Sequence, residues 1–395
     1  MPTSMPTAPT TCSHRRLDLQ PTIDLHDWLC QKATTDRVCI DQLAHNIRQA
    51  VHQRSIWFER QRELPLALSA IVLRPADVSL LQSLSETLHN LIEQAIDWTL
   101  AEPDRLVRYF PDHSRFAPFL ARTPGLDSWQ GYSRYDAVVT GTGEVKFIEV
   151  NTCCPAGFLH APDASEIVLS ALSQLDLPLP TSKLEIGTLE RDVLVDELLR
   201  IEQQGGGNPE HAVALLNDEN GLSNEVEMLK AAFVARGREV IVASAEDIRR
   251  QGSSVTIHNR PISLTWNKIR VSTPNSPNHC WKAGFEQRYK DFLEGLRDQS
   301  MVSVNNLVAA TIAEDKGLLA LFYDPEFRSE LDDTQRQFID DHLLWTSRLR
   351  PGETKFHGKT IDLLPYVRKH RKQFVIKPAN EGRGFGVHIG EFCDD

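Results

Sequence analysis

The chain has 395 residues, a formal net charge of −11 and an ordinary globular composition, 41% hydrophobic and 25% charged. That length gives room for two or three domains and a sizeable core. A net acidic chain lacks the global basic field that binds nucleic acid, although a local basic pocket stays open, and no apolar run is long enough to span a bilayer. No nucleic acid and no membrane are therefore expected as partners.

The opening, MPTSMPTAPTTCSHRR, has no apolar stretch of the kind a secretory signal needs, and residues 1–20 read as a disordered tail. Seven cysteines are scattered without a CxxC pair. This predicts reduced thiols in a cytoplasmic protein rather than a disulfide frame. Cys153 and Cys154 are adjacent, which leaves a metal or redox site open beside the simpler reading of packed thiols.

Residues 21–115 read as a helical region. From Asp24 to about Leu100 the pattern is helical, and PADVSLLQSLSETLHNLIEQAIDW puts Leu81, Leu84, Leu88, Leu91 and Ala95 on one face. Pro75 ahead of Asp77 marks a helix start. The stretch that follows, rich in Pro, Arg and aromatics, reads as irregular. Residues 116–182 carry RYDAVVTGTGEVKFIEVNTCCPAG, two apolar strands joined by a glycine turn, then ASEIVLSALSQL as a short helix and LPLPTSK as a breaker.

Residues 183–298 form a second unit. The helical LERDVLVDELLRIEQQ stops at GGGNP; HAVALLNDE, SNEVEMLKAAFVARG and REVIVAS then read as strand, helix and strand. That is a βαβ unit with a parallel sheet, and SVTIHNRPISLTWNKIR adds further strands. No GxGxxG occurs, so a Rossmann-like domain without a dinucleotide is expected. Residues 299–395 begin with the helical VNNLVAATIAEDKGLLALFYD, which holds an Asp315–Lys316 pair. In QFVIKPANEGRGFGVHIG a strand carries Lys377, and the turn after it holds Gly382, Arg383, Gly384 and Gly386.

The chemistry concentrates in two places. Glycines in a turn let backbone N–H groups approach an anion, and Lys377 just before them supplies a point charge for phosphate. Many such turns are purely structural, and this one is not a Walker loop, because no GKS or GKT follows. On the strand pair, residues i and i+2 face the same side, so Arg134 goes with Asp136 and Glu149 with Asn151. If the strands pair, all four share a face. The oxygens of Asp136, Glu149 and Asn151 suit Mg²⁺, and Arg134 suits a transferring phosphoryl group or an anionic intermediate. A solvated hairpin with a salt bridge is the alternative, but Glu149 sits in FIEVN among residues that favour burial, and a charge there needs a partner.

These residues resemble the ATP-grasp ligases. That family has a hairpin reading Arg-x-Asp and then Glu-x-Asn-x-x-x-Pro-Gly, which holds magnesium ions and the transferred phosphate. Arg134, Asp136, Glu149 and Asn151 match it, and Pro155 and Gly157 match its tail with one residue added between them. Lys377–Pro378 and the glycine turn resemble the family's phosphate-binding lysine and loop, and Lys316 its other nucleotide-binding lysine. The βαβ unit resembles the domain that precedes the ATP-grasp lobes. Here the hairpin comes before the lysine strand. That order is similar to the circularly permuted ATP-grasp proteins, which include the synthetase domain of glutathionylspermidine synthase. The matches run from about residue 130 to 390.

The resemblance implies an α+β to α/β fold: a circularly permuted ATP-grasp with a Rossmann-like pre-ATP-grasp domain and an N-terminal helical region. It implies an ATP-dependent carboxylate–amine ligase acting through an acyl phosphate, with ATP and Mg²⁺ as cofactors and a small-molecule carboxylate and amine as substrates. The alternative is a non-catalytic or incomplete relative that binds or scaffolds. In the family, strands forming the adenine pocket follow the glycine loop, and the sequence given stops at Asp395. The expectation is a C-terminal lobe that is incomplete, weak ATP binding by this chain alone, and a partner chain or self-association at the C-terminal edge. His160 reads as structural. Lys268 and Arg270 read either as carboxylate partners near the substrates or as surface charges.

Overall fold

A computed structural model describes residues 16–58, 62–153, 155–177, 193–217, 223–252, 254–269, 284–380, 384 and 386–393. The chain starts with α1 (Gln20–Thr35) and α2 (Arg37–Gln53), separated by Asp36, whose side chain caps α2 by accepting from Cys39 N–H. A short hairpin follows, β1 (Trp57–Phe58) and β2 (Arg62–Glu63), and then α3 (Pro75–Ala101). The helical pattern expected across 24–100 is thus interrupted, because Ser55 takes a positive φ of 53° at the end of α2 and, among the described residues, no helix resumes before Pro75. The start of α3 is as expected: Pro75 sits where a missing N–H is harmless, and Asp77 accepts from Arg74 N–H at 2.9 Å.

The Pro- and Arg-rich stretch is more regular than its composition suggests. It forms α4 (Pro103–Tyr109) and a 3₁₀ helix, Pro111–Phe119, each opened by a proline in its first turn. Next come β3 (Arg134–Val139), β4 (Val145–Asn151), α5 (His160–Leu172) and α6 (Val193–Gln204). The βαβ unit is present as β5 (Ala212–Asn217), α7 (Ser223–Ala235) and β6 (Val240–Ala243). Then follow β7 (Ile248–Gln251), β8 (Ser254–Ile257), β9 (Arg260–Lys268), α8 (Phe285–Arg288), α9 (Lys290–Arg297) and β10 (Val302–Val304). The strand order is β6-β5-β9-β8-β7, with β10 also on β9. Strands β6, β5, β9 and β10 are mutually parallel, whereas β7 and β8 run antiparallel. Every residue of β5 is buried, as a central parallel strand covered on both faces requires.

The last part holds α10 (Gly317–Leu321), α11 (Pro325–Arg328), α12 (Asp333–His342), the hairpin β11 (Glu353–Phe356) and β12 (Lys359–Asp362), α13 (Leu363–Lys369), and the pair β13 (Val375–Ile376) and β14 (His388–Ile389). One core joins parts that are distant in sequence. Leu84, Leu88 and Leu91 of α3 pack with Phe147 and Val150 of β4 and with Ile312, Phe322 and Ile339. The N-terminal helix α3 therefore backs the β3–β4 hairpin directly. No described helix is long and apolar enough to cross a membrane.

Candidate active site

β3 and β4 pair antiparallel, with Arg134 opposite Asn151 and Asp136 opposite Glu149, so the four residues share one face. A bulge makes this possible. The register steps from Asp136↔Glu149 to Ala137↔Phe147, which leaves Ile148 as the extra residue on β4. Before the bulge, Val145 and Phe147 point into the core; after it, Val150 does. Without the extra residue, Glu149 would continue on the core side with Phe147. The bulge turns the carboxylate out of the core and into the site.

Two lysines meet that carboxylate. Lys316 Nζ lies 3.3 Å from Glu149 Oε1, and Lys377 Nζ lies 3.8 Å from Oε2. Lys377 also reaches Ile148 O at 3.4 Å. Both ammonium groups are largely sheltered, with side chains 12% and 27% exposed. Two cations against one anion leave a local positive balance within an acidic chain. Coulomb attraction for an anion is stronger in such a partly desolvated place than in open water.

The expected continuous helix through residue 316 is broken. A π-helical turn spans Ala309–Ala313 and α10 begins at Gly317, so Glu314, Asp315 and Lys316 form a corner. Each charged side chain of the corner has a separate task. Glu314 accepts from Thr152 N–H at 2.9 Å and Cys153 N–H at 2.5 Å, fixing the exit of β4. Asp315, 3% exposed, meets His113 Nε2 at 3.1 Å and accepts from Gly317 N–H at 2.6 Å. Lys316 faces Glu149, while its N–H donates to Ala379 O at 3.0 Å.

Arg134 and Asp136 are engaged with each other. Nε donates to Oδ1 at 2.8 Å and Nη2 to Oδ2 at 3.2 Å, while Nη1 donates to Ala156 O at 2.8 Å. Asn151 Nδ2 donates to Arg134 O at 3.4 Å, which leaves Oδ1 as the acceptor of that side chain. An oxygen-only set from Glu149, Asn151 and Asp136, on one face and partly exposed, fits the preference of Mg²⁺ for a few protein oxygens. No cluster of three or more His, Cys, Asp or Glu side chains able to hold a metal occurs among the described residues.

Gly384 and Gly386 adopt positive φ values of 74° and 66°, which explains glycine at both places. Gly382, Arg383, Arg270 and Cys154 lie outside the described residues. Lys268 Nζ reaches Cys153 O at 3.4 Å, so it borders the exit of β4. His160 is buried at the start of α5.

Three residues that sequence patterns did not single out organise the site: Glu314, His113 and Asn305. Asn305 accepts from Gly131 N–H (2.6 Å) and Tyr132 N–H (3.1 Å), and donates to Tyr132 O and Thr152 O, both at 2.6 Å. It pins the entry of β3 to the exit of β4. The one available signal was Glu314 itself, a third charge beside Asp315 and Lys316 inside an apolar run.

Burial opposes ionisation of Asp315, but the hydrogen bond and charge of His113, the charge of Arg348 and the Gly317 N–H outweigh it and hold the carboxyl below its usual value. A carboxyl depressed in the folded state stabilises it fully above the unfolded value of about 4, and that contribution is lost as pH falls through the lower folded value. The Asp315→Asn variant is expected to lack this component. Urea unfolding from pH 6 down to pH 3 checks it: the wild-type minus variant difference shrinks toward the acid end.

No protein-family model matches the sequence, and no curated protein matches it. Among solved structures, the chain is similar to a glutathione synthetase-like effector, GSS30, from Globodera pallida in its apo form. The TM-score is 0.54 and the identity 11%, over 84% of this chain and 77% of that one. At that identity the likeness is one of fold: the mixed α/β architecture of this chain is similar to that of a glutathione synthetase-like protein.

Proposed function

We propose that this chain is an ATP-dependent carboxylate–amine ligase of the circularly permuted ATP-grasp kind. The observation that carries the reading is the convergence of Lys316 and Lys377, from separate segments, on Glu149 of the β3–β4 hairpin. In this reading the two lysines and the Gly382–Gly386 turn hold the ATP phosphates. Glu149 and Asn151, with Asp136 beside them, supply oxygens to Mg²⁺. Arg134 steadies the transferred group. A substrate carboxylate attacks the γ-phosphorus, the bond to the β,γ-bridging oxygen breaks and ADP leaves. The amine lone pair then attacks the acyl carbon, phosphate departs with the electrons of the C–O bond, and the amine gives up one proton to the departing phosphate or to water. Such a reaction needs positioning and charge neutralisation rather than a protein nucleophile. Lys268, next to the exit of β4, borders the substrate side.

The test incubates the protein with ATP, Mg²⁺ and pools of amino acids and amines, and follows ADP and product mass together. One ADP per amide formed is the expected result. A second reading, nucleotide binding without turnover, draws on the engagement of both Asp136 oxygens by Arg134 and on the structural neighbour being an effector. ATP binding with no ADP released from any pool would favour it, and no nucleotide binding at all would defeat both.

A further inference from the structure

We propose that His113 is a positioning residue that holds the two lysine-bearing segments in register over Glu149; only its consequence for nucleotide affinity rests on the function proposed above. His113 belongs to the 3₁₀ helix Pro111–Phe119 and is 1% exposed. Its Nε2 lies 3.1 Å from Asp315 Oδ2, the residue before Lys316, and 3.2 Å from Asn380 Nδ2, three residues after Lys377. One imidazole nitrogen thus touches both segments. The ionised state favoured at Asp315 selects the form with hydrogen on Nε2, which donates to the carboxylate; the Asn380 amide meets the same N–H when it turns its oxygen, rather than its Nδ2, toward the ring.

Lys316 N–H also donates to Ala379 O at 3.0 Å, a backbone bond between the same two segments. A single backbone bond fixes a distance but leaves rotation about it. A second contact through a buried ring removes that freedom. Asp315 is held from its other side by Gly317 N–H and lies 3.8 Å from Arg348, so the ring closes on an anchored carboxylate. The distance between the two ammonium groups then follows from the packing of a segment that itself lies outside the lysine cleft. Pre-organising two cations in this way removes an ordering cost that phosphate binding would otherwise bear.

The test uses the full chain with His113→Ala, His113→Gln and Asn380→Ala, and two readouts. The first is the rate of lysine acetylation, by mass spectrometry without nucleotide, at Lys316 and Lys377 and at Lys230 of α7 as a control. The second is the dissociation constant for ATP with Mg²⁺. The expected result is a several-fold rise in acetylation at Lys316 and Lys377 alone, and affinity weaker by about tenfold, in His113→Ala and Asn380→Ala. Recovery is expected in His113→Gln, whose amide can still donate to Asp315. Should His113→Ala not fold, the half-exposed Asn380→Ala carries the measurement. Unchanged acetylation at both lysines in folded variants, or a rise at Lys230 equal to theirs, overturns the proposal. A wild-type protein that binds no ATP, with variants that still expose the two lysines selectively, upholds the positioning role and removes the nucleotide reading instead.

Discussion

Glu149→Gln is expected to lower Mg²⁺-dependent ADP formation by about 100-fold or more while the protein stays folded. The substitution keeps the shape of the side chain and removes its charge. In the ligase reading that charge is the anionic ligand for Mg²⁺ at the point where phosphate charge must be neutralised. The same change also strips Lys316 and Lys377 of their counter-ion. Their full charge is then available to phosphate, so ATP binding in the presence of a chelator is expected to hold or tighten. The two effects have opposite signs, which separates loss of metal-assisted transfer from loss of the site. Activity equal to wild type in folded Glu149→Gln removes Glu149 from the mechanism. Weaker metal-free nucleotide binding removes the two-lysine account of phosphate affinity. Calorimetry with and without chelator, beside a coupled ADP assay, reads both.

Asn305→Asp is expected to carry the largest stability loss, about 3–5 kcal/mol. Asn305 is 4% exposed and satisfies four backbone groups at once. A carboxylate still accepts from Gly131 and Tyr132 N–H. It cannot donate to the carbonyls of Tyr132 and Thr152, and it sets a buried charge against both oxygens. Each unpaired buried group costs about 1–3 kcal/mol. Because Thr152 follows Asn151 directly, the strain reaches the end of β4. Urea unfolding measures the effect, and a loss under about 1 kcal/mol would show that the network contributes little.

The sequence made the shared face of Arg134, Asp136, Glu149 and Asn151 legible because strand alternation is a local rule, and both pairs lie on uninterrupted stretches. The bulge at Ile148 was not legible. It sits between Phe147 and Glu149, and FIEVN alone does not say which strand gains the extra residue. The parallel β5–α7–β6 unit was legible from its apolar strands and from Gly237, which takes a φ of 76° after α7. The corner at Glu314–Lys316 was hidden, since AATIAEDKGLLALF satisfies helical periodicity. Distant partners break that helix: Thr152, Cys153, His113 and Ala379. His113 and Asn305 act across 202 and 173 residues, to Asp315 and Tyr132 respectively, and no local pattern encodes such pairings.

The central claim is that Lys316 and Lys377 together receive the phosphates of one nucleotide over Glu149. Protection of these lysines from acetylation, titrated with nucleotide in the presence of Mg²⁺, tests it most directly. The account predicts that ATP protects both over the same concentration range, that Lys230 is unaffected, and that AMP, without β- and γ-phosphates, protects neither. Acetylation of Lys316 and Lys377 that is unchanged by saturating ATP, or protection of only one of them, would contradict it.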